Sequence, residues 1–450
     1  MIIKINKSIL LTLAFFISSC FLTVFAQQSE IYNYSNGEGI KIVNDAGYLI
    51  KIKTYVQPSF ESRWNTDTTS EKYYNRFRVR RLRLRFDGSD QYDKWNYRLQ
   101  FNFGGVSEIG DSENSEIALL DAFVRYNFER RFQLTIGQRS LMASDNRELT
   151  IASTSLQLPE RSRLTSSFSS IRDFGLFLRK DIRFRNLSRL RNYFEITTGD
   201  GKNNMLTKNY GGLKYGARID FLPFGTFTNK GQFRTIDIMR ENSLKLVVGI
   251  NCSYNNGISS RRGRVGGDFL FYNISETDTS YRLPNYLKYG GDMLLKYRGF
   301  SVLAEYVNTK AYIADDITHR NDRYGDDPSK IVSNFINEYT TQEYVKRQLI
   351  LGSGFNIQSG YLFKNLWSVD ARFTSIKSDE LSWLNNEKFF DRPKYYTLGV
   401  SKMFNKSYSY KIQASITLVE LDEDGLTKDF DDNRISGQEI YFRLITTIAF

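Results

Sequence analysis

The chain has 450 residues, with 62 Lys and Arg against 50 Asp and Glu for a formal net charge of +12, a single His, 29 Tyr, 34 Phe, 4 Trp and only 6 Pro. Two cysteines and one histidine exclude both cysteine-cluster and two-histidine metal sites. The mean hydropathy is −0.44, and past the N-terminus there is no apolar run of roughly 18 residues, the length a spanning helix needs. Two classes remain: a large secreted β protein, or a membrane barrel whose strands alternate lipid-facing and lumen-facing residues.

Residues 1–26 are predicted to be a secretory signal peptide. Lys4 and Lys7 precede an apolar run from Ile9 to Phe25, which ends on the small residue Ala26 before Gln27. Ile17-Ser18-Ser19-Cys20 also fits a lipoprotein cleavage box, but the apolar run continues past Cys20, which favours cleavage after Ala26. Cleavage there removes two lysines and no acid, so 60 basic residues face 50 acidic ones, a net +10 that favours anionic partners. Cys252 is then the only thiol, and no intramolecular disulfide can form in spite of export.

Residues 27–46 are expected to be a short periplasmic segment, and residues 47–450 the barrel. The hydrophobic period is 2 along most of this length. In Trp95 to Phe103 the odd positions are Trp, Tyr, Leu, Phe and Phe, and the even ones Asn96, Arg98, Gln100 and Asn102; Leu213 to Phe221 and Tyr408 to Leu418 alternate in the same way. Sixteen strands are predicted, at 48–63, 75–87, 95–103, 117–128, 132–138, 172–185, 190–199, 212–222, 243–253, 289–297, 300–308, 348–359, 366–377, 394–404, 408–420 and 438–450. An even count places both ends of the barrel on one rim.

Connections after odd strands tend to be long (139–171, 254–288, 309–347, 421–437), and those after even strands short (129–131, 186–189, 298–299, 405–407). This sorting predicts a transmembrane antiparallel β-barrel with short periplasmic turns and long extracellular loops in the bacterial outer membrane. The segment 223–242 departs from it, being long where a short turn is due. At the C-terminus Ile440, Phe442, Leu444, Ile448 and Phe450 share one face of the last strand, the aromatic-ended pattern that outer-membrane assembly machinery reads.

The stretch Asn75 to Gly88 places six arginines in ten residues. Phe77 and Val79 alternate with Arg76, Arg78 and Arg80; after the doublet Arg80-Arg81 the parity flips, and Leu82, Leu84 and Phe86 alternate with Arg81, Arg83 and Arg85. One β-bulge at the doublet keeps all six arginines in the lumen, whereas an unbroken strand would send three of them into lipid at roughly 2 to 4 kcal/mol each near the midplane. Two uses are open for such a ladder. It is either a structural element paired with acids such as Asp121, Asp173 or Glu160, or a path that attracts anions, arginine being suited to bidentate contact with carboxylate and phosphate. Arg98 and Arg125 on the next predicted strands extend the same wall. A nucleic-acid patch is not expected in an exported chain.

The arginine stretch, then Leu119 to Gln138 (LLDAFVRYNFERRFQLTIGQ), Glu160-Arg161-Ser162 and Arg172-Asp173-Phe174-Gly175, together resemble the phosphate-selective porin O and P family. The resemblance implies a sixteen-stranded, homotrimeric, passive porin whose third long loop folds inward. It also implies basic residues that guide small anions, phosphate among them, to the constriction. Here that loop is 139–171, carrying Arg139, Arg147, Arg161 and Arg163 against Asp145, Glu148 and Glu160. After IGQ the family usually continues with a Lys and a Pro-Phe pair, where this chain reads Arg139-Ser140-Leu141-Met142-Ala143-Ser144.

No catalytic role is expected. The lone His319 falls in the long loop 309–347 and is read as a solvated loop residue, and neither a P-loop nor a G-x-G-x-x-G motif occurs. The acidic run Asp422, Glu423, Asp424, Asp429, Asp431 and Asp432 is read as a solvated loop, with a weak Ca²⁺ or lipopolysaccharide-bridging site as the alternative. The expected function is that of an outer-membrane porin with anion preference, set among lipid and lipopolysaccharide, with no cofactor. The alternatives are a general or carbohydrate-type porin and a non-channel structural barrel.

Overall fold

The computed structural model describes residues 30–35, 37–66, 74–104, 117–129, 131–185, 187–202, 211–260, 270–274, 277, 279–321, 329–331, 340–379, 382, 392–422 and 437–450. The predicted signal peptide and all of the acidic run except Asp422 lie outside the described residues.

Sixteen strands form the wall: β1 (Leu49–Asn65), β2 (Tyr74–Ser89), β3 (Trp95–Asn102), β4 (Ala118–Glu129), β5 (Phe132–Ser140), β6 (Arg172–Arg183), β7 (Arg189–Thr197), β8 (Lys214–Leu222), β9 (Lys245–Asn255), β10 (Asn285–Tyr297), β11 (Phe300–Tyr312), β12 (Gly352–Leu362), β13 (Trp367–Ser378), β14 (Lys394–Met403), β15 (Tyr410–Glu420) and β16 (Gln438–Ala449). Each pairs antiparallel with the next, and β16 returns to β1 from Glu439↔Asn65 to Ala449↔Tyr55. Closure leaves the wall without a free edge, the condition for placing a sheet in hydrocarbon. The terminal Phe450 exchanges both backbone hydrogen bonds with Thr54, at 2.7 and 2.9 Å.

The alternation read from the sequence is the alternation of the wall. Trp95, Tyr97 and Leu99 are exposed outward, as are Tyr215, Ile219 and Phe221, while Gln100, Lys214, Arg218 and Asp220 are buried inward. Aromatics gather at the short-turn rim, where Trp95, Tyr126, Phe128 and Phe132 follow one another at centroid distances of 4.7 to 4.9 Å. That is the interfacial girdle a barrel needs where lipid meets water.

The bulge in β2 falls at the arginine doublet. Gln57 of β1 faces Arg81 and Pro58 faces Val79, so Arg80 has no residue opposite it. Pro58 has no N–H to give the ladder, which makes this the least costly place to interrupt it. Phe77 and Val79 point outward, exposed, while Arg80 and Arg81 are buried on the inner face.

Two features go beyond the sequence reading. Residues 30–35 and 39–43 form a hairpin whose second strand pairs with β1 from Ile40↔Ile52 to Val43↔Leu49, so part of the expected N-terminal segment continues the wall past Phe450. Beyond the long-loop rim, residues 270–274, 279–281, 319–321 and 329–330 form a small separate sheet. His319 lies in it, half-buried, its ring stacked on Tyr272 at 5.5 Å and Nδ1 2.8 Å from the Thr318 hydroxyl. It is thus packed against its neighbours rather than free in a solvated loop.

Two deletions test the bulge. Removing Arg80 leaves Arg81 opposite Gln57 and Val79 opposite Pro58, so the shortened strand keeps its parity and should assemble as wild type. Removing Val79 forces an arginine onto the lipid face, at roughly 2 to 4 kcal/mol near the midplane, and should lower the heat-modifiable, folded fraction on gels. Equal assembly of the two would refute the assignment of faces along β2.

Candidate functional site

The loop between β5 and β6, residues 141–171, does not stand above the barrel but crosses its lumen. Its short helices, Arg147–Thr150 and Arg163–Phe168, are held by the inner wall. Arg147 is fully buried and donates to Asp220 of β8 and Asp292 of β10, both at 2.7 Å. Glu148 accepts from Arg372 of β13 at 2.8 Å, and Asn146 donates to Glu305 of β11 at 2.9 Å. Further along, the carbonyl of Leu156 accepts from Lys411 of β15 at 2.8 Å, and Gln157 bonds to Asp370 and Gln358. The wall makes room by omitting side chains: a Cβ on Gly399 would lie 2.3 Å from Leu158, and one on Gly360 2.0 Å from Gln157.

The loop then reaches the far wall. Ser153 bonds to Tyr55 of β1 at 2.8 Å. Glu160 takes Arg80 Nε at 2.6 Å and Arg81 at 2.9 Å, so a single carboxylate closes the loop onto the bulged doublet.

This crossing divides the lumen. On β8 to β15 every charged inward residue named here is buried: Lys214, Arg218, Asp220, Lys288, Asp292, Lys296, Glu305, Asp370, Arg372 and Lys411. On β2 to β6, Arg80, Arg81, Asp121 and Asp173 are buried, but eight inward arginines remain half-exposed: Arg76, Arg78, Arg83, Arg85, Arg98, Arg125, Arg139 and Arg179. The water-facing half of the lumen is therefore the arginine half.

Its carboxylates are shared. Glu61 of β1 takes Arg76 at 3.0 Å and Arg78 at 2.8 Å; Asp87 takes Arg85 and Arg98 at 2.7 and 2.6 Å; Asp181 takes Arg179 and Arg191. Each set keeps a net positive charge. Among the described residues Arg83, Arg125 and Arg139 lie within ion-pairing distance of no carboxylate. Arg83 bonds to Asn102 and lies over Tyr55, while Arg125 bonds to Thr135. Arg98, Arg125 and Arg139 surround the Phe123 ring at 5.3 to 5.5 Å, a cation–π cluster. Arg125, Arg139 and Arg179, with Tyr193 and Glu195, line a recess in this wall.

The sequence-predicted residues thus divide by role. All of Arg76 to Arg85 are on the inner face of β2, with Arg98 and Arg125 beside them. Of the acids expected to pair with the ladder, Glu160 does, whereas Asp121 takes Arg172 at 2.8 Å and Asp173 takes the hydroxyls of Thr197 and Thr198. The ladder's other partners, Glu61 and Asp87, follow from cross-strand parity, which the sequence reading did not apply to acids. Of the loop arginines, Arg139 ends β5 and faces the open half. Arg147 is committed to the wall and offers nothing to a solute. Arg161 is half-buried and donates to the carbonyls of Glu148 and Ile151, and Arg163, also half-buried, opens the second helix.

Comparison with known proteins agrees with this geometry. Residues 51–175, from β1 to the start of β6, match the family described as phosphate-selective porin O and P. The fold is that of the outer-membrane porin barrels. Among solved structures the chain is similar to an anion-selective porin from Comamonas acidovorans, at 8% identity over 90% of this chain and 100% of that one, with a TM-score of 0.50. Others are OmpT, an outer membrane protein of Vibrio cholerae (9% identity, 94% and 100% covered, TM-score 0.48), and the outer membrane channel DcaP of Acinetobacter baumannii (11%, 91% and 99%, 0.45). No curated protein matches the sequence.

Glu160 yields a pH prediction. Burial favours its neutral form, but Arg80 and Arg81 outweigh burial and hold the carboxyl well below the usual range. A group whose pKa is depressed on folding stabilises docking above its ordinary value, near about 4.3, and loses that contribution only as pH falls through the depressed value. Conductance should stay level from neutral pH to about pH 4 and change only below it. Glu160→Gln should increase current noise and shift the reversal potential further toward chloride from neutral pH down to about pH 4, and converge on wild type at lower pH; a variant identical to wild type at neutral pH would show that Glu160 does not hold the loop.

Proposed function

We propose that the protein is an outer-membrane porin, a passive diffusion channel with preference for small anions, which move along the arginine-lined half of the lumen. One observation carries this reading: Arg83, Arg125 and Arg139 are half-exposed there with no carboxylate within ion-pairing distance among the described residues, among further arginines that only share one. A wall of this kind raises the local concentration of anions and repels cations, and guanidinium groups suit oxyanions such as phosphate. The loop 141–171 narrows the path, with Arg139 and Arg161 as the loop-region arginines placed to meet a solute. The family match supports phosphate as a candidate. The Arg139-Ser140-Leu141 sequence, where the family usually carries Lys and Pro-Phe, leaves open a general anion-preferring pore. Export by residues 1–26, assembly as a homotrimer and a setting of outer-membrane lipid and lipopolysaccharide complete the proposal.

The test is reversal potential in asymmetric KCl across planar bilayers, with phosphate or pyrophosphate as competitor. Preference for chloride is expected; block of chloride current at low competitor concentration would identify an oxyanion site, and its absence a general anion pore. The variant Arg83→Gln/Arg125→Gln/Arg139→Gln removes three unshared charges without touching the loop anchors. It should assemble normally and lose most of the anion preference. An unchanged reversal potential would refute the proposed path, and no conductance at all from folded wild type would favour the structural barrel.

A further inference from the structure

The segment between β8 and β9, long where a short turn is due, also folds into the lumen, from the opposite rim to the loop 141–171. Residues 231, 232 and 235–238 are buried. The segment spans the mouth from β8 to β15. Phe227 packs with Leu222, Val247, Leu294 and Leu303 at its root, and Ile236 and Ile238 pack with Leu362, Met403 and Tyr408 at the far side. Asp237 accepts from the Gly299 backbone at 2.8 Å, Arg240 donates to the Leu362 carbonyl, and Tyr408 donates to the Ile236 carbonyl at 2.9 Å. Lys296 of β10, buried, donates to the carbonyls of Gly231 and Ile236 at 3.1 and 2.8 Å.

The segment also touches the other infolded loop: Thr235 donates through Oγ1 to the Ser155 carbonyl at 3.1 Å. We infer that residues 223–242 are a second constriction that, with the loop 141–171, closes the β8–β15 half of the lumen and confines solutes to the arginine wall. The size limit of the channel is then set by both elements, with Lys296 as the positioning residue of the periplasmic one. This inference rests on the channel reading above.

The segment's ends already meet, since Glu241 accepts from the Thr228 backbone N–H at 2.6 Å and from its hydroxyl at 2.9 Å. Residues 229–240 can therefore be replaced by two glycines without moving β8 or β9. In planar bilayers this variant should show at least twofold higher single-channel conductance and admit larger neutral sugars in liposome swelling. Its reversal potential should stay near wild type, because the arginine wall is untouched. Lys296→Met keeps the segment's length and loosens its tether, and should raise conductance less and current noise more. A heat-modifiable deletion variant with wild-type conductance and sugar cut-off would overturn the inference. If the deletion variant fails to assemble, Lys296→Met decides: wild-type conductance and noise would overturn it equally. Wild-type protein that forms no channels would instead overturn the channel reading, and this inference with it.

Discussion

The contact on which the architecture turns is that of Glu160 with Arg80 and Arg81. Two adjacent arginines on one strand cannot both face a lumen unless the strand is bulged, and the bulge presents two guanidinium groups side by side at one height of the wall. Left alone, they would repel each other and hold water. A carboxylate brought from across the pore satisfies both, at 2.6 and 2.9 Å. The same contact fixes the far end of the loop, so a local irregularity of β2 determines where the lumen is crossed and which half stays open.

The near end of the loop is fixed differently. Arg147 is sealed between Asp220 and Asp292, and Arg218 completes the cluster, donating to Asp220 at 2.8 Å and to Asp292 at 2.6 Å. Removing one partner from a buried set of this kind typically costs about 3 to 5 kcal/mol, because the remaining charge is left uncompensated. Such a cluster adds less to net stability than to uniqueness of placement. Two arginines and two carboxylates balance here, whereas on β2 to β6 arginines outnumber acids. At this end the anchoring charges balance; across the lumen one carboxylate holds two arginines, and the excess arginines beside them face the water.

Much of this was legible in the sequence, for physical reasons. A barrel wall is a single repeated constraint, lipid on one face and water on the other, so period 2 revealed all sixteen strands, and the parity flip at Arg80-Arg81 located the bulge to the residue. The predicted strand 348–359 lies at Gly352–Leu362, displaced because Leu349, Ile350 and Leu351 pack in the extracellular clusters with Phe168 and Val345 rather than extending the wall. The fate of Arg147 was not legible. Its partners are 73 and 145 residues away, and no local pattern distinguishes an arginine that meets solute from one sealed in a buried cluster. The segment 223–242 was visible as an anomaly of length, but its role depends on carbonyl groups, which every residue carries and no sequence displays.

Those carbonyls give the buried lysines of the wall a common task. Lys288, Lys296 and Lys411 are all buried inward, and each donates to backbone carbonyls of an infolded segment: Phe168, Gly231 with Ile236, and Leu156. An ammonium group is compact and offers three rotatable donors, so it can take carbonyls wherever a loop happens to present them. Guanidinium is planar and forked, and matches carboxylates and oxyanions. Exchanging a tethering lysine for arginine would force a larger, directional group into a filled half-lumen, whereas lysine in place of Arg125 or Arg139 would keep the charge but lose the stacking on Phe123. Lysine thus takes the carbonyls of the inner segments, Arg80, Arg81, Arg147 and Arg372 anchor the loop through its carboxylates or those of the wall, and the remaining arginines of β2 to β5 line the water-facing half.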